Sequence, residues 1–205
     1  MVSVLSIYKQ RLRTNPKLTN ALMTGFLFGS GDFIAQVFFP DAQGEKVKTF
    51  GFDYDINRTL RGVVYGSCVF SFIGDKWYKI LARIHLPGDS RYAIVNKTKD
   101  AIARTAVDQL VWAPVGIPLY YFVMSVLEAR PVEETRQKLE ENWWPTLKAN
   151  WMVWPAFQLV NLGFVPVQHQ LLGVNLISIA WNTYLSLRNS RNLERNMVHY
   201  PPVPE

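Results

Sequence analysis

The chain has 205 residues, and its 22 lysines and arginines against 16 aspartates and glutamates give a formal net charge of +6. That length supports one domain with a substantial core, while the single cysteine excludes an intrachain disulfide and any multi-cysteine metal site. The P-loop, H-E-x-x-H and G-x-S-x-G motifs are absent, so we expect no enzyme, no cofactor and no metal centre. The positive charge is spread over loops and tail, which argues against a nucleic-acid partner.

The N-terminal segment, residues 1–17, is basic and contains no acidic residue. Its apolar residues recur at helical spacing, so we predict an amphipathic helix over residues 2–13 that lies on a membrane surface. A basic segment without acidic residues is also typical of a mitochondrial import signal. The basic residues are Lys9, Arg11, Arg13 and Lys17, and the apolar ones include Val4, Leu5, Tyr8 and Leu12.

Beyond this segment, charged residues are missing from four stretches of the chain. A helix of about 20 residues spans ~30 Å, the thickness of a hydrocarbon core, whereas a soluble helix of that length normally has a charged outer face. The sequence therefore predicts an all-α fold, a multi-pass transmembrane helical bundle of four to five helices over residues 18–188. A buried helix in a soluble bundle is the alternative. The stretches are 18–39, where Asp32 is the one charged residue, and 62–74, 109–127 and 149–187, which have none when histidine is neutral.

The last stretch, 149–187, fits two arrangements: one membrane crossing beside an interrupted helix, or two helices with a turn near residues 165–168. After it, residues 189–205 are predicted to form a mobile, proline-rich tail. The distribution of lysine and arginine between loops only weakly favours an even number of crossings.

Small residues and prolines within the spans indicate where helices pack closely and where they bend. Glycines four residues apart suit helix association, within the protein or in a homo-oligomer, and prolines interrupt the helical hydrogen bonds. Cys68 lies within a predicted span, which makes it a poor nucleophile and one redox-sensitive candidate. The predicted packing or hinge residues are Gly25, Gly29, Gly62, Gly66, Pro114, Pro118 and Pro155.

Polar residues within the spans also recur at helical spacing, and each must find a partner in the membrane. In one interpretation they line a water-filled path, with Asp32 and Asp108 giving cation preference. In the other, Asp32 pairs with a lysine or arginine of another helix, and the amides join helices. We expect Arg104 to neutralise Asp108 one turn away, which leaves Asp32 as the more exposed charge. The candidate interior residues are Asp32, Gln36, Arg104, Asp108, Gln109, Asn150, Gln158, Asn161, Asn175 and Asn182.

Several segments between residues 8 and 188 resemble one known family. They resemble the Mpv-seventeen family, which is also called the twenty-two-kilodalton peroxisomal membrane protein family, and especially its fungal mitochondrial members. The segments that carry the resemblance are Gly31-Asp32 with Gln36, Gly74-Asp75-Lys76-Trp77-Tyr78, Trp143-Trp144-Pro145, Trp151-x-x-Trp154-Pro155-x-x-Gln158-x-x-Asn161, and Trp181-Asn182-Thr183-Tyr184-Leu185-Ser186.

This resemblance implies a multi-pass protein of the mitochondrial inner membrane, with the peroxisomal membrane as the alternative. It implies channel-like passage of ions or small metabolites, and roles in metabolite homeostasis, stress tolerance and mitochondrial DNA maintenance. It supplies no catalytic residues. A non-conducting scaffold or assembly factor for inner-membrane complexes is the alternative function. The expected partners are the lipid bilayer and either further copies of the chain or an inner-membrane complex.

Overall fold

The computed structural model describes residues 4–38, 48–49, 52–88 and 93–199. These residues are almost entirely helical, so the all-α prediction is confirmed. Two strands of two residues each, Lys48–Thr49 and Phe52–Asp53, pair antiparallel. In chain order the helices are α1 (Val4–Thr14), α2 (Pro16–Phe38), α3 (Ile56–Val64), α4 (Ser71–Leu81), α5 (Ala93–Val107), α6 (Ala113–Leu127), α7 (Val132–Phe164) and α8 (Val167–His199).

Wider π-helical turns join two pairs of these helices end to end. Tyr65–Phe70 joins α3 to α4, and Asp108–Trp112 joins α5 to α6. A π turn contains one residue more than an α turn, so it rotates the side chains that follow it to a new face. Two long helices result, one over residues 56–81 and one over residues 93–127.

Among the described residues, two helices are long and apolar enough to cross a membrane by length and composition. They are Pro16–Phe38, with a mean hydropathy of 1.3, and Ala93–Leu127, with a mean hydropathy of 1.7. The uncharged stretch 149–187 forms two helices, because Pro166 favours the extended backbone that Val165 adopts at the end of α7. A count of four to five crossings therefore stays a prediction from the sequence.

The structure describes most of the predicted N-terminal helix and the first part of the predicted C-terminal tail. Helix α1 covers most of the predicted surface helix, and residues 1–3 lie outside the described residues. Pro16 occupies the first position of α2, where its missing N–H costs no hydrogen bond. Helix α8 continues through the first part of the predicted tail to His199, and residues 200–205 lie outside the described residues.

Helix α2 packs against α8, α3 and the first π turn, and glycines let these backbones approach closely. A Cβ atom on Gly66 would lie 2.9 Å from the Thr24 carbonyl oxygen, and one on Gly29 would lie 2.7 Å from Val63 Cγ2. A Cβ on Gly25 would overlap the Ser67 hydroxyl, whereas one on Gly62 would meet Phe28 backbone at 3.8 Å. The glycine pairs of the first two predicted spans thus face one another within the chain.

Polar and apolar residues are distributed as expected for a protein in lipid. Among the described residues, buried polar or charged side chains outnumber buried apolar ones. Large apolar side chains instead point outward, with Leu110 exposed by 70% and Met152 by 85%. A soluble protein rarely exposes so much contiguous apolar surface, whereas a hydrocarbon environment favours it.

Candidate functional site: a polar cavity inside the bundle

Asp108 is the centre of a hydrogen-bond network between three helical segments. It lies in the second π turn and is 2% exposed. Its Oδ1 accepts a hydrogen bond from Trp77 Nε1 at 2.8 Å, and its Oδ2 accepts from Gln109 Nε2 at 2.8 Å and Gln158 Nε2 at 3.0 Å. These donors are neutral groups.

The π turn that holds Asp108 is explained by the proline that follows it. Pro114 has no N–H, so it cannot donate to a carbonyl of the preceding turn, and the Gln109 carbonyl instead accepts from Trp151 Nε1 at 3.0 Å. Pro118 has the same effect one turn later, because the carbonyl of Pro114 accepts from Trp143 Nε1 at 3.1 Å. Tryptophans of α7 therefore satisfy carbonyls that prolines of α6 leave without backbone donors.

Further amides connect this network to α7 and α8. Gln109 Oε1 accepts from Asn150 Nδ2 at 2.8 Å, and Gln158 Oε1 accepts from Asn161 Nδ2 at 3.2 Å. Asn175 Nδ2 donates to Thr24 Oγ1 at 2.8 Å, which joins α8 to α2. The side chains of Asp108, Gln109, Asn150, Gln158 and Asn161 thus form one network, whereas Asn175 bonds to α2 and Arg104 lies apart.

The expected ion pair between Arg104 and Asp108 is not formed, which corrects the sequence-based prediction. Arg104 Nη2 instead lies 3.6 Å from Asp100 Oδ2, and its Nε donates to the Ile84 carbonyl at 3.0 Å. Helical side chains point towards the N-terminus of their helix, so Arg104 reaches back one turn. There it meets the carbonyl end of α4, where a positive charge is favourable.

Asp32 is also not the exposed charge that we expected, and it belongs to a second cluster between α2 and α3. Its Oδ1 accepts from Arg58 Nε at 2.7 Å, and its Oδ2 accepts from Thr59 Oγ1 at 2.6 Å and Gln36 Nε2 at 2.7 Å. Asp32 and Arg58 are both more than nine-tenths buried. The alternative in which Asp32 pairs with a basic residue of another helix is therefore the one that the structure shows.

Gln36 fixes this second cluster to the start of α3. It accepts a hydrogen bond from the Asp55 backbone N–H at 2.7 Å through Oε1, and donates through Nε2 to the Asp55 carbonyl at 2.9 Å. Asp55 in turn caps α3 by accepting from the Arg58 N–H at 3.0 Å. The sequence alone does not reveal Arg58, because it lies outside the four stretches that lack charged residues.

A cavity of about 80 Å³ lies beside Asp108 in the interior of the bundle. Asn182 and Trp154 line this cavity, and among the described residues neither the Asn182 carboxamide nor Trp154 Nε1 has a hydrogen-bond partner. Its polar lining comes from Tyr78, Asp108, Gln109, Asn150, Gln158, Ser178 and Asn182, and its aromatic lining includes Phe28, Tyr65, Phe70, Trp112, Tyr120, Trp154 and Trp181.

A second cavity of about 20 Å³ lies next to the Asp32 cluster. Its lining includes Asp32, Arg58 and Gly62. The two cavities share three lining residues, which are Phe28, Tyr120 and Asn182. These three side chains thus form a shared layer between the cavity beside Asp108 and the cavity beside Asp32.

A third polar cluster holds the turn between α6 and α7 together. Glu128 accepts from Lys138 Nζ at 2.9 Å and also pairs with Arg130. Burial alone would raise the pKa of Glu128, but Lys138 and Arg130 outweigh this effect and lower the pKa to about 2. Lys138 is 3% exposed, so it lies inside the protein although many of its neighbours in the sequence are charged.

Cys68 lies in the first π turn and is exposed on the outside of the bundle. It therefore lines neither cavity, and its role as a redox-sensitive position stays a prediction.

Comparison with known proteins identifies relatives over the whole chain. Residues 125–186 match the sequence model of the Mpv17 / PMP22 family. The chain is 49% identical to Protein SYM1 of Saccharomyces cerevisiae over 100% of both proteins, and 50% identical to Protein SYM1 of Kluyveromyces lactis over 97% of this chain and 96% of that one. It is 42% identical to Protein sym-1 of Neurospora crassa over 92% of this chain and 100% of that one. No solved structure matches.

These matches agree with the resemblance seen in the sequence. The family model covers the end of α6, all of α7 and much of α8, which together supply most of the amides around Asp108. The names of the family and of these relatives do not indicate catalytic activity. Identity that extends over the full length of a relative places the whole chain in the same family, as a membrane protein of mitochondria or peroxisomes. The chain belongs to the Mpv17 / PMP22 family.

Proposed function

We propose that this protein forms a gated passage for ions or small metabolites across the mitochondrial inner membrane, and that the passage is closed in the conformation described here. The observation that carries the proposal is the pair of cavities that meet at Phe28, Tyr120 and Asn182. A purely structural bundle gains stability by filling such spaces, because each void forfeits packing contacts.

The chemistry of the shared layer supports a gate. The Asn182 carboxamide is 5% exposed and unpartnered among the described residues, and an unpaired buried amide costs free energy. Water or a passing solute would supply the missing hydrogen bonds and offset this cost. Phe28 and Tyr120 are the apolar part of the layer, and apolar constrictions close pores by excluding water.

Passage of this kind agrees with the functions that the family resemblance implies. A regulated path for small solutes would support metabolite homeostasis and stress tolerance in mitochondria. The role in mitochondrial DNA maintenance that the resemblance implies is part of the same proposal.

The test is flux through purified protein in liposomes. We expect the wild type to release small ions and metabolites of low molecular mass, and Asn182→Leu to release less, because leucine has the same size but offers no hydrogen bonds. Size-exclusion chromatography in detergent is the control for folding. Wild-type liposomes that release nothing at any voltage or redox condition would contradict the proposal.

A non-conducting scaffold or assembly factor is the second candidate. The observation that favours it is that most interior polar groups pair with one another, as in Asp32 with Arg58 and Asn175 with Thr24. Such pairs hold helices together without any solute. If liposomes show no flux, and the protein co-purifies with an inner-membrane complex, the scaffold is the better account.

A further inference from the structure

We infer that the cavity beside Asp108 is a binding site for a small organic cation of the ammonium class. This inference deepens the proposed function, and its role in permeation rests on that function. Binding itself does not depend on transport, so the two are tested separately.

The negative charge for such a site comes from Asp108. Among the described residues no lysine, arginine or histidine forms an ion pair with it, and its three hydrogen-bond donors are an indole and two amides. A carboxylate has about four acceptor positions, so three donors leave about one position for a ligand. A buried carboxylate without a counter-ion is costly, and a bound cation would lower that cost.

The walls of the cavity suit an organic cation better than a metal ion. Trp112, Trp154 and Trp181 line it, with the Trp154 and Trp181 rings 5.9 Å apart and nearly perpendicular. Aromatic faces attract ammonium groups through their quadrupole, and several faces around one cavity form the arrangement that binds such ligands. Sodium or magnesium would require a shell of oxygen ligands, whereas the Gln109 and Gln158 side-chain oxygens in this lining already accept hydrogen bonds from Asn150 and Asn161.

Unpartnered polar groups in the same cavity provide positions for orienting a ligand. Asn182 Oδ1 can accept a hydrogen bond from an ammonium N–H, and both Asn182 and Trp154 are more than nine-tenths buried. The volume of about 80 Å³ is room for on the order of five water molecules, or for one small organic ion.

The test is a fluorescence titration of the detergent-solubilised protein with methylammonium chloride, at constant ionic strength set with sodium chloride. The cavity tryptophans report occupancy directly. We expect the tryptophan fluorescence of the wild type to change saturably with methylammonium. Sodium at the same concentration should not reverse this change. Asp108→Asn should weaken methylammonium binding about tenfold or more, because it removes a charge-assisted hydrogen bond.

Two further variants keep the test valid if Asp108→Asn folds poorly. Ser178→Val adds bulk to the cavity without touching Asp108, and it should also weaken binding. Asp75→Asn is the matched control, because Asp75 pairs with Lys79 outside the cavity. This variant should bind methylammonium as tightly as the wild type does.

The site is overturned if the wild type shows no saturable change, if sodium competes equally, or if Asp108→Asn and Ser178→Val bind as well as Asp75→Asn. Because the titration requires no transport, failure here overturns the site alone. Failure of the liposome experiment overturns the passage alone.

Discussion

At the scale of single residues, the two buried aspartates have different chemical surroundings. Asp32 is neutralised by Arg58, whereas Asp108 is held by neutral donors. Removing one partner of a buried ion pair leaves the other charge uncompensated, but an amide can keep some of the hydrogen bonds of a carboxylate. This reverses the expectation from the sequence, in which Asp108 was the paired residue.

Asp32→Asn should therefore destabilise the protein by about 3–5 kcal/mol, because Arg58 loses the charge that balances it. Asp108→Asn should lower the free energy of unfolding by a smaller amount, because no basic residue pairs with Asp108 among the described residues. Thermal unfolding of the detergent-solubilised variants measures both. In the control, Asp32→Leu combined with Arg58→Met removes both charges and should recover most of the stability. Equal stability of Asp32→Asn and the wild type would show that the pair contributes little.

The pKa of Glu128 gives a pH dependence of stability. Its pKa is about 2 in the folded protein and 4.5 for an unperturbed glutamate, so the carboxylate favours folding above pH 4.5. This contribution is on the order of 3 kcal/mol, and it is lost as the pH falls from about 4.5 towards 2. Chemical unfolding in detergent at pH 7 and pH 3 should reveal the loss.

The control for this prediction is Glu140→Gln, which changes an exposed glutamate of α7 that pairs with Arg136. It should retain the wild-type pH dependence, because exposed ion pairs contribute little. Glu128→Gln should be less stable at pH 7 and should lose less stability on acidification. If the stability of Glu128→Gln depends on pH as strongly as that of the wild type, the loss of stability on acidification arises from other groups.

At the scale of helices, Gly62 and Gly66 differ in how closely the backbone of α2 approaches them. Gly66→Ala should destabilise the bundle by about 1–3 kcal/mol, because the new Cβ would lie 2.9 Å from the Thr24 carbonyl oxygen. Gly62→Ala is the matched control in the same motif, with 3.8 Å to its nearest neighbour, and the higher helix propensity of alanine should make it neutral or stabilising. Equal melting temperatures of the two variants would contradict this packing.

The sequence predicts periodic features well, because helical spacing places residues on one face without any tertiary information. The glycines of α2 and the amides of α7 and α8 were found in this way, and Gln158, Asn161 and Asn175 are all buried. The partners of these residues depend on how helices cross, which spacing does not specify. Arg104 shows the limit, since two of its carbonyl partners follow the end of α4, about 20 positions earlier in the chain, and a third, Leu162, lies on α7.

The π turns explain another part of what the sequence did not reveal. Helical periodicity assumes a constant rotation per residue, and an extra residue in a turn changes the face of everything after it. Asp108 and Gln109 lie in such a turn, and their side chains hydrogen-bond to each other although they are adjacent in sequence. The sequence predicted bends at the prolines that follow. It did not reveal that the carbonyls to which these prolines cannot donate accept hydrogen bonds from tryptophan indoles of α7.

At the scale of the whole molecule, the bundle has an apolar exterior and a polar interior with two neighbouring cavities. The exterior fits a lipid environment, and the interior is where a solute would travel. Phe28 lines both cavities together with Tyr120 and Asn182. A gated passage through the bundle therefore depends on this one layer.

The most direct measurement of that claim is solute flux in liposomes containing Phe28→Ala. Removing the ring should join the two cavities and raise the flux of small ions above that of the wild type. Phe26→Ala is the matched control, because Phe26 lies on the same helix but is 67% exposed on the outside, and its flux should equal that of the wild type. If Phe28→Ala conducts no more than Phe26→Ala while both remain folded, the layer is not a gate and the passage does not run through these cavities.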